Sequence, residues 1–241
     1  MNNAFELLGD PCQGGVLIVA DHASNHVPND VMLGVDPRLL NEHIGYDIGV
    51  GAVARHMVAD FGFAAFMGAH SRLVADLNRD AHDPGAIPHE SDGHVVPGNA
   101  LDSKGRAERL ARFHTPYHEA LATLLADRRP ALILSLHSFT PSLAADPHKL
   151  RPWDVGVLYN DYEKASRLGI ELLRAAGLIV GDQLPYSGKL LNATMNRHAE
   201  ANGIAYWGIE MRQDKVAEAE GQRRFAFIIG NACVNIVEQL A

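Results

Sequence analysis

Gly15-Val16-Leu17-Ile18-Val19-Ala20 runs without a polar residue and stops abruptly at Asp21-His22-Ala23-Ser24-Asn25-His26. A run this short has strand length, and its β-branched Val and Ile fit a pleated surface. Because it does not alternate apolar and polar, it predicts a strand buried on both faces, as in a largely parallel sheet covered by helices. Pro130 to Leu136 (PALILSL) repeats the pattern and gives way to His137-Ser138-Phe139.

Working outward, Phe63 to Met67 (FAAFM), Asp154 to Asn160 (DVGVLYN) and Ile204 to Met211 (IAYWGIEM) read as further strands. Between them lie helical patterns. In Asp47 to Asp60, Val50, Val53, Ala54, Met57 and Val58 recur at helical spacing before Gly62. Ser166–Ala176 predicts a second helix, and Phe225–Leu240 an amphipathic one that closes the chain. A helix pair is expected with Leu110, Phe113, Leu121, Leu124 and Leu125 inward and Pro116 opening its second half. Arg79 to Lys104, rich in Gly, Pro, Asp and His, reads as a long surface excursion, and Gly181–Gly188 as a loop. Strands alternating with helices predict one α/β domain over residues 1–241, with a central, mostly parallel, mixed sheet flanked by helices.

Composition narrows the function classes. With 241 residues, 47% hydrophobic and 21% charged, the chain can bury a real core, which excludes disorder. A net charge of -8 argues against nucleic acid, whose phosphates need a basic surface. No apolar run approaches the roughly 18–20 residues that span a bilayer, so no membrane role is expected. The opening MNNAFELLGDPCQGG lacks the basic-then-apolar order of a secretory signal, and a cytoplasmic setting is the expectation. Cys12 and Cys233 stand far apart with no CxxC pattern, so neither a disulfide framework nor a cysteine zinc site is indicated.

Ligands of open α/β sheets gather at the carboxyl ends of the strands. Read along those ends, the sequence offers His22, Arg72, Asn78, Arg79, His137 and Glu210. A metal accounts for this set economically, since catalytic zinc commonly takes two imidazoles and a carboxylate plus water. His22 and His137 come from two strands and could converge, and the segment Glu42-His43-Ile44-Gly45-Tyr46-Asp47 offers the third ligand. No H-E-x-x-H helix, G-x-S-x-G elbow or phosphate-binding glycine loop is present, which disfavours compact zincin, serine-nucleophile and nucleotide chemistry. Arg72 and Arg79 suit bidentate carboxylate recognition, so a pocket for a small anionic substrate is expected; a surface pairing with Asp76 or Asp80 is the bland counterpart.

These residues fall in segments that resemble the N-formylglutamate amidohydrolase family. SRLVADLNR (71–79) and SLHSFTP (135–141) are the most specific, with DHASNHVP (21–28), EHIGYDIG (42–49), SDGHVVPGN (91–99), PYHEAL (116–121), RPWDVGVLYN (151–160), GDQLPYSG (181–188) and IEMRQD (209–214) in colinear support. The resemblance implies a fold similar to zinc carboxypeptidases and zinc amidases, with one Zn2+ per chain. It implies His22 and His137 as zinc ligands, with Asp47 as the third and His43 and Glu42 as alternatives. It also implies Glu210 as the catalytic carboxylate, and Arg72, Asn78, Arg79 and Arg212 as holders of substrate carboxylates. Asp21, His26, His43 and Ser138 would orient the ligands from behind. The SDGHVVPGN stretch is expected near the cleft, where it would reshape the pocket.

The activity so implied is hydrolysis of a small N-acylated amino acid, foremost N-formyl-L-glutamate to formate and L-glutamate. A zinc amidase acting on peptidoglycan-derived muropeptides is the near alternative. A non-catalytic amino-acid- or metal-binding protein on the same scaffold is the distant one.

Overall fold

A computed structural model of the chain describes residues 4–142 and 148–241. In chain order the elements are β1 (Phe5–Leu8), β2 (Val16–Ala20), α1 (Val50–Phe61), β3 (Ala64–Gly68), β4 (Glu90–Ser91), β5 (His94–Val95) and α2 (Ser103–Asp127). Then come β6 (Leu132–Phe139), β7 (Val155–Leu158), α3 (Lys164–Ala175), β8 (Val180–Asp182), α4 (Ala193–His198), β9 (Tyr206–Arg212) and α5 (Ala219–Leu240). Seven strands form one sheet in the order β1-β3-β2-β6-β9-β7-β8, and β4 and β5 make a separate hairpin.

The uninterrupted apolar runs sit at the centre of that sheet. β3, β2, β6 and β9 are parallel, while β1 runs antiparallel to β3, and β7 antiparallel to β9. Alternation along each strand sends side chains to two helical layers. Ile18, Leu132, Leu134, Leu136, Trp207 and Ile209 pack with α1, α3 and α5, through residues such as Val53, Met57, Leu173, Phe225 and Ile229. Leu17, Val19, Phe66, Ile133 and Tyr206 pack with Tyr117, Leu121 and Leu125 of α2 and Met195 of α4. A third cluster, including Leu33, Ile44, Leu73, Val74, Val96 and Phe113, fixes the loops that carry the candidate site.

Several local expectations need correction. The helix pair is one continuous helix, α2, which passes through Pro116. Proline removes the bond to the carbonyl four residues back. That carbonyl belongs to exposed Arg112, where water can serve it, while Phe113, His114, Tyr117 and His118 anchor both sides of the proline in buried packing. The Arg79–Lys104 excursion is more ordered than its composition suggests: it carries the β4–β5 hairpin and sinks Ala86, Ile87, Val96 and Asn99 into the interior. The segment read as a loop at Gly181–Gly188 begins inside β8. β1 and α4 had no sequence counterpart; both are short and follow neither period long enough to register. Among the described residues, no helix is long and apolar enough to cross a membrane.

Candidate active site

Three loops meet above the carboxyl ends of β2, β6 and β9, and backbone hydrogen bonds stitch them together. The Asp47 amide donates to the His22 carbonyl at 2.9 Å, the Ser71 amide to the His26 carbonyl at 2.9 Å, and the Arg72 amide to the Gly45 carbonyl at 3.2 Å. Gly49 makes the entry to α1 possible. Its φ is 84°, and a Cβ there would lie 2.3 Å from the Val216 carbonyl oxygen, so the chain can turn sharply after Asp47 only with glycine. β6 extends three residues beyond the apolar run, so His137 lies within the strand and in register with Glu210 on β9. Neighbours in register point to the same face of a sheet.

The result is a buried cluster. One ligating atom each of His22, Asp47 and His137 lies within 4.8 Å of the other two. His137 Nδ1 is 2.9 Å from Asp47 Oδ2, and His22 Nδ1 is 3.6 Å from the same oxygen. Each imidazole has a carboxylate on its far side: His22 Nε2 bonds Asp76 Oδ1 at 2.8 Å, and His137 Nε2 faces Asp21 Oδ2 at 3.7 Å. Tyr117 of α2 donates to Asp21 Oδ1 at 2.7 Å, fixing that carboxylate. The Ser138 amide donates to Asp47 Oδ2 at 3.3 Å, and its hydroxyl to the Ile48 carbonyl at 2.9 Å.

Charge around the cluster is strongly perturbed. Burial works against ionisation of Asp47, but Arg72 and the two histidines outweigh it and hold its pKa well below the usual carboxylate range. Burial also opposes protonation of His137, yet Asp47, Glu210 and Asp21 raise its pKa to about 9. Glu210 goes the other way: burial lifts its carboxyl to about 7, against the pull of His137. Its buried Oε2 has no hydrogen-bond partner.

A cleft opens onto these groups, lined also by His43, Asn78, Arg79, Tyr186 and Leu191. Arg72 donates from Nη2 to Asp47 Oδ1 at 2.5 Å and also contacts His22 Nδ1. Arg79 makes no side-chain hydrogen bond or ion pair among the described residues, although it lines the same cleft, so its charge is available to a ligand. Asn78 accepts the Thr194 amide on Oδ1 at 3.1 Å, which leaves its Nδ2 as the donor it can offer. The Tyr186 hydroxyl oxygen accepts from Arg151 Nη1 at 3.1 Å, freeing its proton for the cleft.

Not every residue expected at the site is brought there. His26 is exposed and lies against His70, with ring centroids 5.5 Å apart, because its carbonyl is held by the Ser71 amide and its ring points out of the loop. Arg212 does not line the cleft: it folds back onto Asp214 at 2.7 Å and onto the carbonyls of Arg151 and Trp153. Beyond the strand end, Asp214 is the anion within its reach. Glu42 is exposed, whereas His43 reaches 3.8 Å from Asp47 Oδ1 with its Nδ1 unpartnered. Residues 91–99, expected to reshape the pocket, do not line it. Sequence reasoning had noted Asp76 only as a possible ion-pair partner and missed the roles of Tyr117 and Tyr186. The one signal for Asp76 was an acidic residue between two arginines.

The residues present fit a divalent cation. Two imidazoles and a carboxylate are a common catalytic zinc donor set, and backing carboxylates on ligating histidines are its usual support. Asp21, Asp47, Asp76 and Glu210 also bring four carboxyl groups around the two imidazoles. The partnerless buried Glu210 Oε2 beside the cluster marks a centre whose interactions are incomplete without a further group.

Comparison with known proteins agrees with this architecture. The gene product Atu2144 from Agrobacterium tumefaciens superposes with a TM-score of 0.92 at 27% identity, over 99% of this chain and 96% of that one. An N-formylglutamate amidohydrolase from Ralstonia eutropha JMP134 superposes with a TM-score of 0.76 at 20% identity, covering 99% and 98% of the two chains. None of the curated proteins matches the chain. The sequence profile of the N-formylglutamate amidohydrolase family matches residues 14–217, which span the cluster, the arginines and Glu210, and the chain belongs to that family of amidohydrolases.

Proposed function

We propose that this chain is a zinc-dependent hydrolase of a small N-acylated dicarboxylic amino acid, with N-formyl-L-glutamate as substrate and formate and L-glutamate as products. The observation that carries the reading is the convergence of His22, Asp47 and His137 in a cleft that also presents Glu210 and an unpaired Arg79. His22, Asp47 and His137 would hold one ion, which supplies polarisation of the formyl carbonyl and acidification of water.

The chain's own groups do the rest. Glu210 takes a proton from the attacking water on Oε2 and returns it to the leaving amine nitrogen as the C–N bond breaks. A carboxyl lifted by burial to about 7 can serve in both directions near neutral pH. Arg72, already directed at the cluster, donates to the oxygen on which negative charge develops. Arg79 and the Nδ2 of Asn78 receive a substrate carboxylate, and Tyr186 offers a further donor across the cleft. Asp76 holds the His22 imidazole in orientation by its hydrogen bond, and Asp21 faces His137 Nε2 from behind.

The deciding experiment measures formate release from N-formyl-L-glutamate by zinc-loaded protein, with and without chelator, together with metal content on the same sample. Chelator-sensitive release that is lost in Glu210→Gln by roughly 10²–10⁴-fold supports the reading. Release indifferent to chelator would overturn the metal assignment. A zinc-loaded protein that releases no formate would overturn the substrate.

A further inference from the structure

Behind the segment that carries Asn78 and Arg79 lie three histidines that the chemistry above does not use. His114 and His118 are one turn apart on α2, and His198 ends α4; all three are buried. His114 Nε2 bonds the Arg79 carbonyl at 2.9 Å, and His118 Nε2 bonds the Leu77 carbonyl at 3.0 Å. A carbonyl only accepts, so both Nε2 atoms carry protons. His118 Nδ1 is then the acceptor for His198 Nε2 at 2.9 Å, and the His118 and His198 rings lie within 6° of parallel. The His114 and His118 rings are 4.3 Å apart between centroids.

The start of α4 acts on the same segment. Thr194 donates from Oγ1 to the Leu77 carbonyl at 3.2 Å and from its amide to Asn78 Oδ1 at 3.1 Å. Both lone pairs of the Leu77 carbonyl are therefore taken. On the cleft side, the Asn78 amide donates to Asp76 Oδ1 at 3.0 Å, the oxygen that also bonds His22. The Leu77 and Arg79 carbonyls and the Asn78 side chain are thus held from behind, while Asp76, Asn78 and Arg79 line the cleft. Burial keeps all three imidazoles neutral, the form in which His118 Nδ1 accepts: His114 is depressed, His118 to about 2 and His198 to about 4.

We infer that His114, His118 and His198 form a hydrogen-bonded ladder that positions Asn78 and Arg79 for the substrate carboxylate. This rests on the proposed carboxylate-binding role of those two residues. The ladder touches neither substrate nor the His22–Asp47–His137 cluster, so its effect falls on ground-state binding. A purely space-filling role would be met equally by any flat ring. The ladder requires the Nε2 donor.

The test compares His114→Phe and His118→Phe, which keep a ring and remove the donor, with His114→Gln and His118→Gln, which restore one. Expected for each Phe variant is a KM for N-formyl-L-glutamate raised about tenfold, the loss of one hydrogen bond of about 1.4 kcal/mol, with kcat within about threefold of wild type. Each Gln variant should recover most of the KM. Amide hydrogen exchange of Asn78 and Arg79 is followed on the same proteins and should quicken in the Phe variants alone. Phe variants with wild-type KM and wild-type exchange would overturn the ladder, as would a loss confined to kcat. If the wild-type protein does not turn over this substrate, the substrate reading fails by itself, and unchanged or quickened exchange still decides the ladder. Should His118→Phe not fold, the His114 pair alone carries the comparison.

Discussion

Asp76 accepts a hydrogen bond from His22 Nε2 at 2.8 Å and, on the same oxygen, one from the Asn78 amide at 3.0 Å. One carboxylate therefore orients an imidazole of the cluster and anchors the segment that carries the cleft's free cation. Partners of this kind fix the tautomer of a ligating histidine and raise its basicity. Asp76→Asn should lower zinc affinity by about 10–100-fold, measured by competition with a chromophoric chelator. An affinity equal to wild type would show that His22 is oriented by something else.

Arg79 lines the cleft with no partner for its charge among the described residues. Removing it leaves no stranded anion in the protein, so the change should fall on the substrate. A charge-assisted hydrogen bond is worth about 1.5–3 kcal/mol, so Arg79→Ala should raise KM by roughly 10–100-fold. Arg79→Lys should recover only part of this, because an ammonium cannot form the bidentate pair. Steady-state formate release checks both variants. A loss seen in kcat with KM unchanged would move Arg79 from binding to the chemical step.

The physical reasons for what was legible differ between scaffold and site. Val16–Ala20 and, but for Ser135, Leu132–Leu136 are apolar on both faces, and a covered parallel sheet explains such runs, so the centre of the fold followed from them. His22, His137 and Glu210 stood out as ionisable groups at the ends of those strands. Asp47 needed the resemblance, since its place at the cluster depends on the Gly49 turn and on a backbone bond to His22, 25 positions away in sequence. Asp76 and the three ladder histidines were not legible. Each acts through a contact that spans 35 to 80 positions in sequence, and neither period nor spacing encodes such contacts. Arg212 shows the converse: sequence position placed it beside Glu210 on one face of β9, but a nearer anion, Asp214, took its guanidinium.

Gly169 of α3 packs directly on the Trp207 indole. A Cβ at that position would lie 2.3 Å from Trp207 Cε2, and Trp207 is fully buried on the interior strand β9. Gly169→Ala gains about 1 kcal/mol of helix propensity. Overpacking a rigid core costs about 1–3 kcal/mol, and a contact this short belongs at the upper end. The net expectation is a lower urea midpoint at unchanged slope, by roughly 1–2 kcal/mol. A midpoint at or above wild type would mean that α3 slides on the sheet more freely than its packing implies.

Acid should destabilise the protein through its buried histidines, which together outweigh the one opposing carboxyl, Glu210, whose proton the folded chain holds up to about 7. His118 is depressed to about 2 by burial and by neighbouring His114, His198 and Arg197; His198 is depressed to about 4 by burial and Arg197, with Asp21 opposing. His70, packed against Phe113 and His26, is depressed to about 4 by burial and the charges of His26 and Arg112. In the unfolded chain these groups take up protons near 6.5, whereas the folded chain refuses them down to about 4. Between those values the unfolded state binds more protons, so stability rises with pH. The contribution is complete above 6.5 and is lost as pH falls toward 4. Each such histidine adds up to about 1.4 kcal/mol per pH unit to the slope. Urea unfolding at a series of pH values across that window should show the fall in wild type. In His118→Gln the slope should be shallower by about one proton, because the replacement offers a donor to the Leu77 carbonyl but nothing to titrate. Equal slopes in the two proteins would mean that His118 takes up its proton in the folded chain as readily as in the unfolded one, against the depression that burial imposes.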